Sequence, residues 1–300
     1  MSVIIPDNLP AIELLQEEHI RVYGQSETIR HHFAPLRVVL LNLMPLKIST
    51  EADYIRLLSN SPLWVELTFM KLRSHTSKNT PLVHLNRFYR FFDELKNQHF
   101  DGLIITGAPV ELIPFEEVDY WQELIEVFDW AHEQIPSALY ICWASQAALY
   151  HFHHIPKYRL DKKMFGIFPH RLDVEGVPIF HGFDDVFYVP HSRYTEIRKE
   201  DVLKVKALTL LAESEESGVY MATARKGREF FITGHSEYEP LRLDMEYQRD
   251  LNRGLPTEVP QHYYVDNDPV KRPLVRWRAH SNLLFTNWLN YYVSQQIAYQ

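Results

Sequence analysis

From about residue 36 to 152, short apolar runs alternate with stretches in which apolar residues recur every three or four positions. That order predicts strands and helices in turn, and hence a parallel sheet. Arg37-Val38-Val39-Leu40-Leu41-Asn42-Leu43 reads as a buried strand, and Thr50 with Asp53 as the cap of a helix carrying Ile55 and Leu58. Val65, Leu67 and Phe69 alternate as a second strand. Leu82, Leu85, Phe88, Phe92 and Leu95 form one helical stripe, and Gly102 to Thr106 a third strand that breaks at Gly107-Ala108-Pro109. The next helix spans about Glu116 to His132, with Val118, Trp121, Leu124, Ile125 and Phe128 inward. All these stripes read as core.

After Pro156 the apolar segments shorten, as in Asp185 to Val189 and Gly218 to Ala222, and the sheet is expected to continue in partly antiparallel form. A Pro-containing stretch from about Asn252 to Pro273 is expected to wrap the surface, and the segment from Trp277 to Val293 to form a last, buried helix. The expectation is one unit over residues 1–300: an α/β core at about 36–240 with elaborations at 1–35 and 241–300.

Composition narrows the function more than the fold. Hydrophobic content of 46% with 23% charged residues is that of an ordinary globular chain, and no apolar run approaches the roughly 18 residues of a membrane span. A net charge of −8 offers no electrostatic reason for DNA, RNA or anionic lipid as a partner. The start, Met1 to Asp7, lacks the basic and apolar regions of a signal peptide, and one cysteine suits a reducing compartment, so a cytoplasmic location is expected.

That one cysteine is the most informative residue. Cys142 stands where the apolar run Ala138-Leu139-Tyr140-Ile141 ends and a small-residue helix start, Trp143 to Ala148, begins. A sharp strand-to-helix turn holds a side chain clear of the sheet, beside N–H groups and a helix dipole that favour thiolate. A lone cysteine after an apolar strand is also commonly an inert core residue. A second segment tilts the balance: Phe230 to Thr233 is a strand that breaks at Gly234 and is followed by His235 and, two residues on, Glu237. In an extended stretch those two side chains share a face, so Glu237 can orient the imidazole while its other nitrogen faces a thiol. Together they suggest acyl-thioester chemistry. The cluster His151-Phe152-His153-His154 lacks zinc-site spacing and reads as a helix-end loop, so no metal and no bound cofactor are expected.

Taken along its length, the chain resembles the MetA family of homoserine O-acyltransferases, whose fold is class I glutamine amidotransferase-like (flavodoxin-like): a mostly parallel sheet with helices on both faces, here with a C-terminal extension. The matching stretches run in order, among them Leu41-Asn42-Leu43-Met44-Pro45 with Lys47, Ser77 to Thr80, Gly102 to Pro109, Ile141-Cys142-Trp143, Pro190-His191-Ser192-Arg193, Thr233-Gly234-His235 with Glu237, and Asn287 to Tyr292. The resemblance implies that Cys142 carries the acyl group, that His235 is the base and Glu237 its orienter, and that Lys163, Ser192 and Arg249 contact the amino-acid substrate. It implies L-homoserine and acetyl-CoA as small-molecule substrates, methionine biosynthesis as the setting, and a homodimer. Homoserine O-succinyltransferase or serine O-acetyltransferase on the same site, a Cys-His-Glu amidotransferase or hydrolase, and a catalytically silent binding or regulatory protein of this fold are the alternatives. Acyl transfer also needs oxyanion donors, for which the backbone N–H groups of Trp143 and Val110 are the candidates, and Lys47 is a further possible site residue.

In this family the residue matching Glu111 is associated with donor choice, glutamate with acetyl and glycine with succinyl transfer. A succinyl carboxylate about 4 Å from Glu111 costs on the order of 4 kcal/mol at an effective dielectric near 20, roughly three orders of magnitude in affinity, unless a nearby cation neutralises Glu111. The chain departs from the family at Ser236, where proline is common, and at Leu46, where a polar residue is common.

Overall fold

The computed structural model describes residues 2–30 and 34–294. Its strands, in chain order, are β1 (Ser2–Ile5), β2 (Val22–Gly24), β3 (Leu36–Leu41), β4 (Trp64–Lys71), β5 (Tyr89–Phe91), β6 (Gly102–Ile105), β7 (Ser137–Ile141), β8 (Tyr158–Leu172), β9 (Val186–Glu196), β10 (Leu208–Ser214), β11 (Gly218–Ala224) and β12 (Glu229–Ile232). They form a single sheet in the order β2-β1-β4-β3-β6-β7-β12-β11-β10-β8-β9, with β5 added to β4. Pairing is parallel from β2 through β7 to β12 and antiparallel from β12 onward to β9. The helices are α1 (Ala11–Glu17), α2 (Lys47–Leu58), α3 (Leu82–Phe88), α4 (Phe92–Leu95), α5 (Trp121–Gln134), α6 (Trp143–His153), α7 (Lys199–Lys204), α8 (Arg242–Asn252) and α9 (Arg278–Trp288).

The alternation along each central strand sorts its side chains into two cores. Val38, Leu40, Leu67, Phe69 and Ile104 face α2 and α9, where Tyr54, Ile55, Leu284 and Trp288 are buried. Val39, Leu41, Met70, Leu103 and Ile105 face α5 and α6, where Leu124, Val127, Ala147 and Leu149 are buried. Helices therefore cover both faces, and a sheet buried on two sides reads as continuous apolar runs. Each such buried side chain contributes roughly 1.5–3 kcal/mol from the removal of apolar surface from water. A third, aromatic cluster of Phe165, Tyr238, Tyr247, Tyr263, Tyr264 and Trp277 binds α8 and the 260s loop to β8.

Several local expectations differ from the structure, among them the helix read from about Glu116, which begins only at Trp121 after a single 3-10 turn at Phe115–Glu117 and an extended Val118. The stripe from Leu82 to Leu95 is not one helix: Tyr89–Phe91 leaves the helical path to pair with the β4 edge, in register Phe69 to Tyr89. An exposed strand edge offers unpaired backbone groups, and the Tyr89 hydroxyl is held by Glu51 Oε1 at 2.6 Å and by the Asn42 amide at 3.0 Å. Thr50 and Asp53 do not cap a helix; both lie inside α2, which starts at Lys47. Thr50 Oγ1 donates back to Leu46 O at 3.1 Å, and Asp53 instead accepts from Arg242 at 2.7 Å, joining α2 to α8. The Trp277–Val293 segment is buried as expected, with Trp288 Nε1 donating to Ser137 Oγ at 3.0 Å, but its last turn, Leu289–Val293, widens to π geometry.

Candidate active site

Loops after β3, β6, β7 and β12 meet at the C-terminal edge of the parallel strands, the usual ligand-binding edge of an open α/β sheet. Cys142 is the pivot between β7 and α6, with φ 51° and ψ −114°. For a non-glycine residue this conformation costs on the order of 1–3 kcal/mol, so it must be enforced by its surroundings. The Cys142 N–H donates to Ile232 O at 2.6 Å, extending the β7–β12 pairing by one residue, and Cys142 O accepts from the backbone N–H of Ser145 at 3.0 Å and its hydroxyl at 2.6 Å. Strand and helix are thus both fastened to the same residue. Trp143 is the first helical residue, whose N–H has no acceptor within the helix.

His235 arrives from the adjacent strand. Its N–H donates to Pro190 O at 2.8 Å, and its Nδ1 lies 2.6 Å from Glu237 Oε1, with both side chains buried. The pairing expected from the sequence is present, but its geometry is a turn rather than an extended strand, closed by Tyr238 N–H donating to His235 O at 3.3 Å. Ser236, at the turn, bonds the Tyr220 hydroxyl at 3.0 Å. Tyr238 also stacks on the imidazole, with ring centres 4.2 Å apart. From the other side comes Gly107: a Cβ there would sit 3.2 Å from Cys142 Cβ, 3.8 Å from its sulfur and 3.4 Å from His235 Cε1. A side chain at this position would crowd Cys142 and His235 together, and glycine leaves that contact free. Burial of His235 favours its neutral form, yet Cys142 and Glu237 on its two nitrogens outweigh burial and hold its pKa well above the usual value.

Lys163, Ser192 and Arg249 are brought together, around two acids that the sequence reading passed over. Lys163 Nζ lies 3.2 Å from Glu246 Oε2 and 3.3 Å from Asp250 Oδ2; the Ser192 hydroxyl donates to Glu246; Arg249 Nε donates to Asp250 Oδ1 at 2.8 Å. Glu246 also accepts from the Tyr238 hydroxyl at 3.1 Å, which links this polar cluster to the ring on His235. The overlooked signal is the i, i+4 spacing of Glu246 and Asp250, which places both on one face of α8 beside the chosen Arg249.

Glu111 sits in the loop after β6 and accepts from the Tyr194 N–H at 3.0 Å. Burial raises its pKa, opposed by that N–H and by His235, Lys163 and Arg193, so cations that weaken a repulsive charge are indeed close by. Lys47 is buried, and its ammonium is spent on the carbonyls of Asn42 and Met44; burial, opposed by Glu51, lowers its pKa to about 8. Val110 lies three residues beyond Gly107, the loop residue whose Cα faces Cys142 and His235. His151 and His153 lie in the last turn of α6 rather than in a loop, with His154 closing it in left-handed conformation; His151 bonds Asp129 at 2.7 Å and His153 packs on Phe231. A cavity of about 830 Å³ is walled by Glu237 and Tyr238 and by Arg56 and Arg278, whereas Cys142 is only 4% exposed and not on its wall. Among the described residues, no helix is long and apolar enough to cross a membrane.

The model of the family described as "Homoserine O-succinyltransferase" matches residues 2–299. The chain belongs to that family. This agrees with the MetA resemblance read from the sequence. A protein of Bacteroides fragilis named homoserine O-acetyltransferase is 63% identical over 299 residues, covering 100% of this chain and 98% of that one. One of the same name from Desulfitobacterium hafniense is 53% identical over 299 residues, covering 100% of this chain and 97% of its own. A glutamine amidotransferase structure from Thermotoga maritima superimposes with TM-score 0.54 at 13% identity, covering 86% of this chain and 98% of its own. At that identity the likeness speaks for the fold alone, and it is the fold expected. The family's description names succinyl while these relatives are named for acetyl, so membership leaves the donor to be decided within the site.

Proposed function

We propose that the chain is a homoserine O-acetyltransferase of methionine biosynthesis, moving acetyl from acetyl-CoA to the hydroxyl of L-homoserine through a thioester on Cys142. The observation that carries this reading is the strained Cys142 turn facing an imidazole whose far nitrogen is fixed by Glu237 at 2.6 Å. His235 is held toward its charged form by Cys142 and Glu237 despite its burial, and the reaction requires the sulfur beside it to act as thiolate. The sulfur attacks the acetyl carbonyl, the N–H of Trp143 and the loop from Gly107 to Val110 receive the oxyanion, and the C–S bond to CoA breaks. The departing CoA sulfur takes the proton from His235. Acylation has by then removed the negative charge from Cys142, so burial drives His235 toward its neutral form, ready to act as base. It accepts the homoserine hydroxyl proton as that oxygen attacks the thioester, and Cys142 leaves as thiolate. Ping-pong kinetics follow.

The zwitterionic end of the acceptor fits the cluster of Lys163, Ser192 and Arg249 with Glu246 and Asp250, where a carboxylate and an ammonium each find a partner of opposite charge. Glu111 supports the acetyl donor: its carboxyl is fixed by the Tyr194 N–H in the loop after β6, and a succinyl carboxylate brought beside it would meet a like charge. Lys163 and Arg193 reduce that charge effect, so its size falls below the three orders of magnitude of an isolated glutamate. Lys47 shapes the loop after β3 rather than offering a free ammonium. Acetyl-CoA is a co-substrate, no bound cofactor is required, and a cytoplasmic homodimer is part of the proposal, to be checked by light scattering.

The test is CoA release from acetyl-CoA and succinyl-CoA, each with homoserine and with serine, and ammonia release from glutamine. Acetyl-CoA with homoserine is expected to win each comparison. Preference for succinyl-CoA overturns the role of Glu111, preference for serine the acceptor, and ammonia release without acyl transfer the reaction itself.

A further inference from the structure

One strand connects every part of this site. Along β9, Pro190 O receives the His235 N–H at 2.8 Å, the Ser192 hydroxyl donates to Glu246, Tyr194 N–H holds Glu111 at 3.0 Å, and Thr195 exchanges bonds of 2.8 Å and 3.2 Å with Gln146 in the first turn of the Cys142 helix. His191, Arg193 and Thr195 alternate onto one face of the strand. His191 presses on Gly234, where a Cβ would come within 3.1 Å of its ring, and Thr195 grips Gln146. Arg193 therefore lies between the neighbour of the base and the neighbour of the nucleophile.

Arg193 is 2% exposed, and among the described residues no carboxylate pairs with it. Its acceptors are neutral: Thr195 O at 2.8 Å, Ser217 O at 2.5 Å and His191 Nδ1 at 3.4 Å. The hydrogen bonds fix both rings behind it. His191 accepts on Nδ1, so its Nε2 carries the proton toward His170 Nε2 at 3.2 Å, and His170 donates from Nδ1 to Phe168 O at 2.9 Å. Burial keeps both imidazoles uncharged, His170 with a pKa near 3 and His191 well below its usual value. The guanidinium is thus oriented by a neutral scaffold, with no carboxylate among the described residues in direct contact with it. A buried charge without a counter-ion is expensive unless something nearby uses it. Through His191 on Gly234 and Thr195 on Gln146 its charge is seated between the two halves of the site, where Cys142, once a thiolate, and the carboxylates of Glu196 and Glu111 lie within its electrostatic reach.

We infer that Arg193 is the standing counter-charge of the acyl-transfer site, a positioning residue that stabilises the Cys142 thiolate through space without touching substrate. The inference rests on the proposed nucleophilic role of Cys142. Its charge persists when His235 gives up its proton, so it favours sulfur as an anion at the moment Cys142 must leave from the thioester. A neutral scaffold suits this task, because a carboxylate at the same place would cancel the field.

Because the chain holds one cysteine, alkylation by iodoacetamide reads that sulfur alone. The full-length protein is compared with Arg193→Lys, Arg193→Gln and His235→Asn, with circular dichroism confirming the fold. At pH 6, R193Q is expected to alkylate at least tenfold more slowly than the wild type, with the rate recovering as pH rises, while R193K stays within threefold. Equal rates for a folded R193Q, or equal losses in R193K and R193Q, overturn the inference and make Arg193 a packing residue. If R193Q does not fold, H235N decides: its sulfur should still alkylate at least tenfold faster at pH 7 than a free cysteine peptide, and a rate at or below the peptide's overturns the inference. Mass spectrometry of protein treated with acetyl-CoA checks the underlying reading separately, since an acetyl group absent from Cys142 would refute that reading whatever the alkylation rates.

Discussion

Glu237→Gln perturbs the site at the contact that orients the imidazole while leaving its shape almost unchanged. Glu237 Oε1 lies 2.6 Å from His235 Nδ1, both side chains are buried, and Glu237 Oε2 has no partner among the described residues. An amide in that place has two choices. With its oxygen toward Nδ1, the NH2 group occupies the unpartnered position, where burying a donor unmet costs about 1–3 kcal/mol. With its NH2 toward Nδ1, the ring is forced to carry its proton on Nε2 and cannot accept one from the homoserine hydroxyl. Either way the charge that supports the imidazolium is gone. An opposite charge about 4 Å away is worth on the order of 4 kcal/mol at an effective dielectric near 20, and a charge-assisted bond about 1.5 kcal/mol more than a neutral one. The expected fall in kcat/KM is therefore between about tenfold and about 1,000-fold. Rapid-mixing measurement of CoA release from acetyl-CoA without acceptor, beside steady-state formation of O-acetylhomoserine, separates the two half-reactions. The sign with pH also follows. Glu237 is one of the two groups that raise the His235 pKa, so in E237Q the limb that depends on imidazolium moves to lower pH. In stability terms a raised histidine pKa contributes fully below its unfolded value of about 6.5 and is lost as pH rises through the folded value, so E237Q is weakest against the wild type below pH 6.5. A kcat/KM within threefold of wild type, with the pH profile unmoved, refutes the reasoning.

Glu111→Gly should raise the succinyl-CoA to acetyl-CoA ratio of kcat/KM by about 10- to 1,000-fold, the lower end reflecting the cations beside it; competition between the two donors reads this, and an unchanged ratio removes Glu111 from donor choice. Lys47, with its pKa lowered to about 8, is neutral in the folded chain while the unfolded chain still binds the proton up to about 10.4, so the wild type should gain on the order of 3 kcal/mol between pH 8 and 10.4; denaturant melts of wild type and Lys47→Met at both pH values check it, and an equal gain in K47M assigns the effect elsewhere. Tyr140 buries a hydroxyl that has no partner among the described residues, so Tyr140→Phe should be neutral to about 1 kcal/mol more stable in thermal melts, and a loss above that range would show an undetected bond.

The central strands, the helices flanking them and the Cys142 turn were legible in the order of residues, because a sheet buried on both faces demands continuous apolar runs and its edge demands a break. His235 and Glu237 were legible as a pair, since two residues apart they cannot help being near each other, although the turn that joins them was not. Chain order alone could not resolve the stripe from Leu82 to Leu95, where the β4 edge captures Tyr89–Phe91 and overrides helical spacing. It was equally silent on Glu246 and Asp250, ordinary acids of a solvated-looking helix until α8 packs against β8 and β9 and turns them toward Lys163, Ser192 and Arg249. The same holds for the unpaired burial of Arg193 and the closeness of Gly107 to the thiol. Periodicity is a local property, written by the burial of one face at a time, and so the residues themselves determined which elements form and where the thiol stands. Distances between side chains 40 to 100 positions apart depend on how those elements pack, and that only the tertiary structure decided.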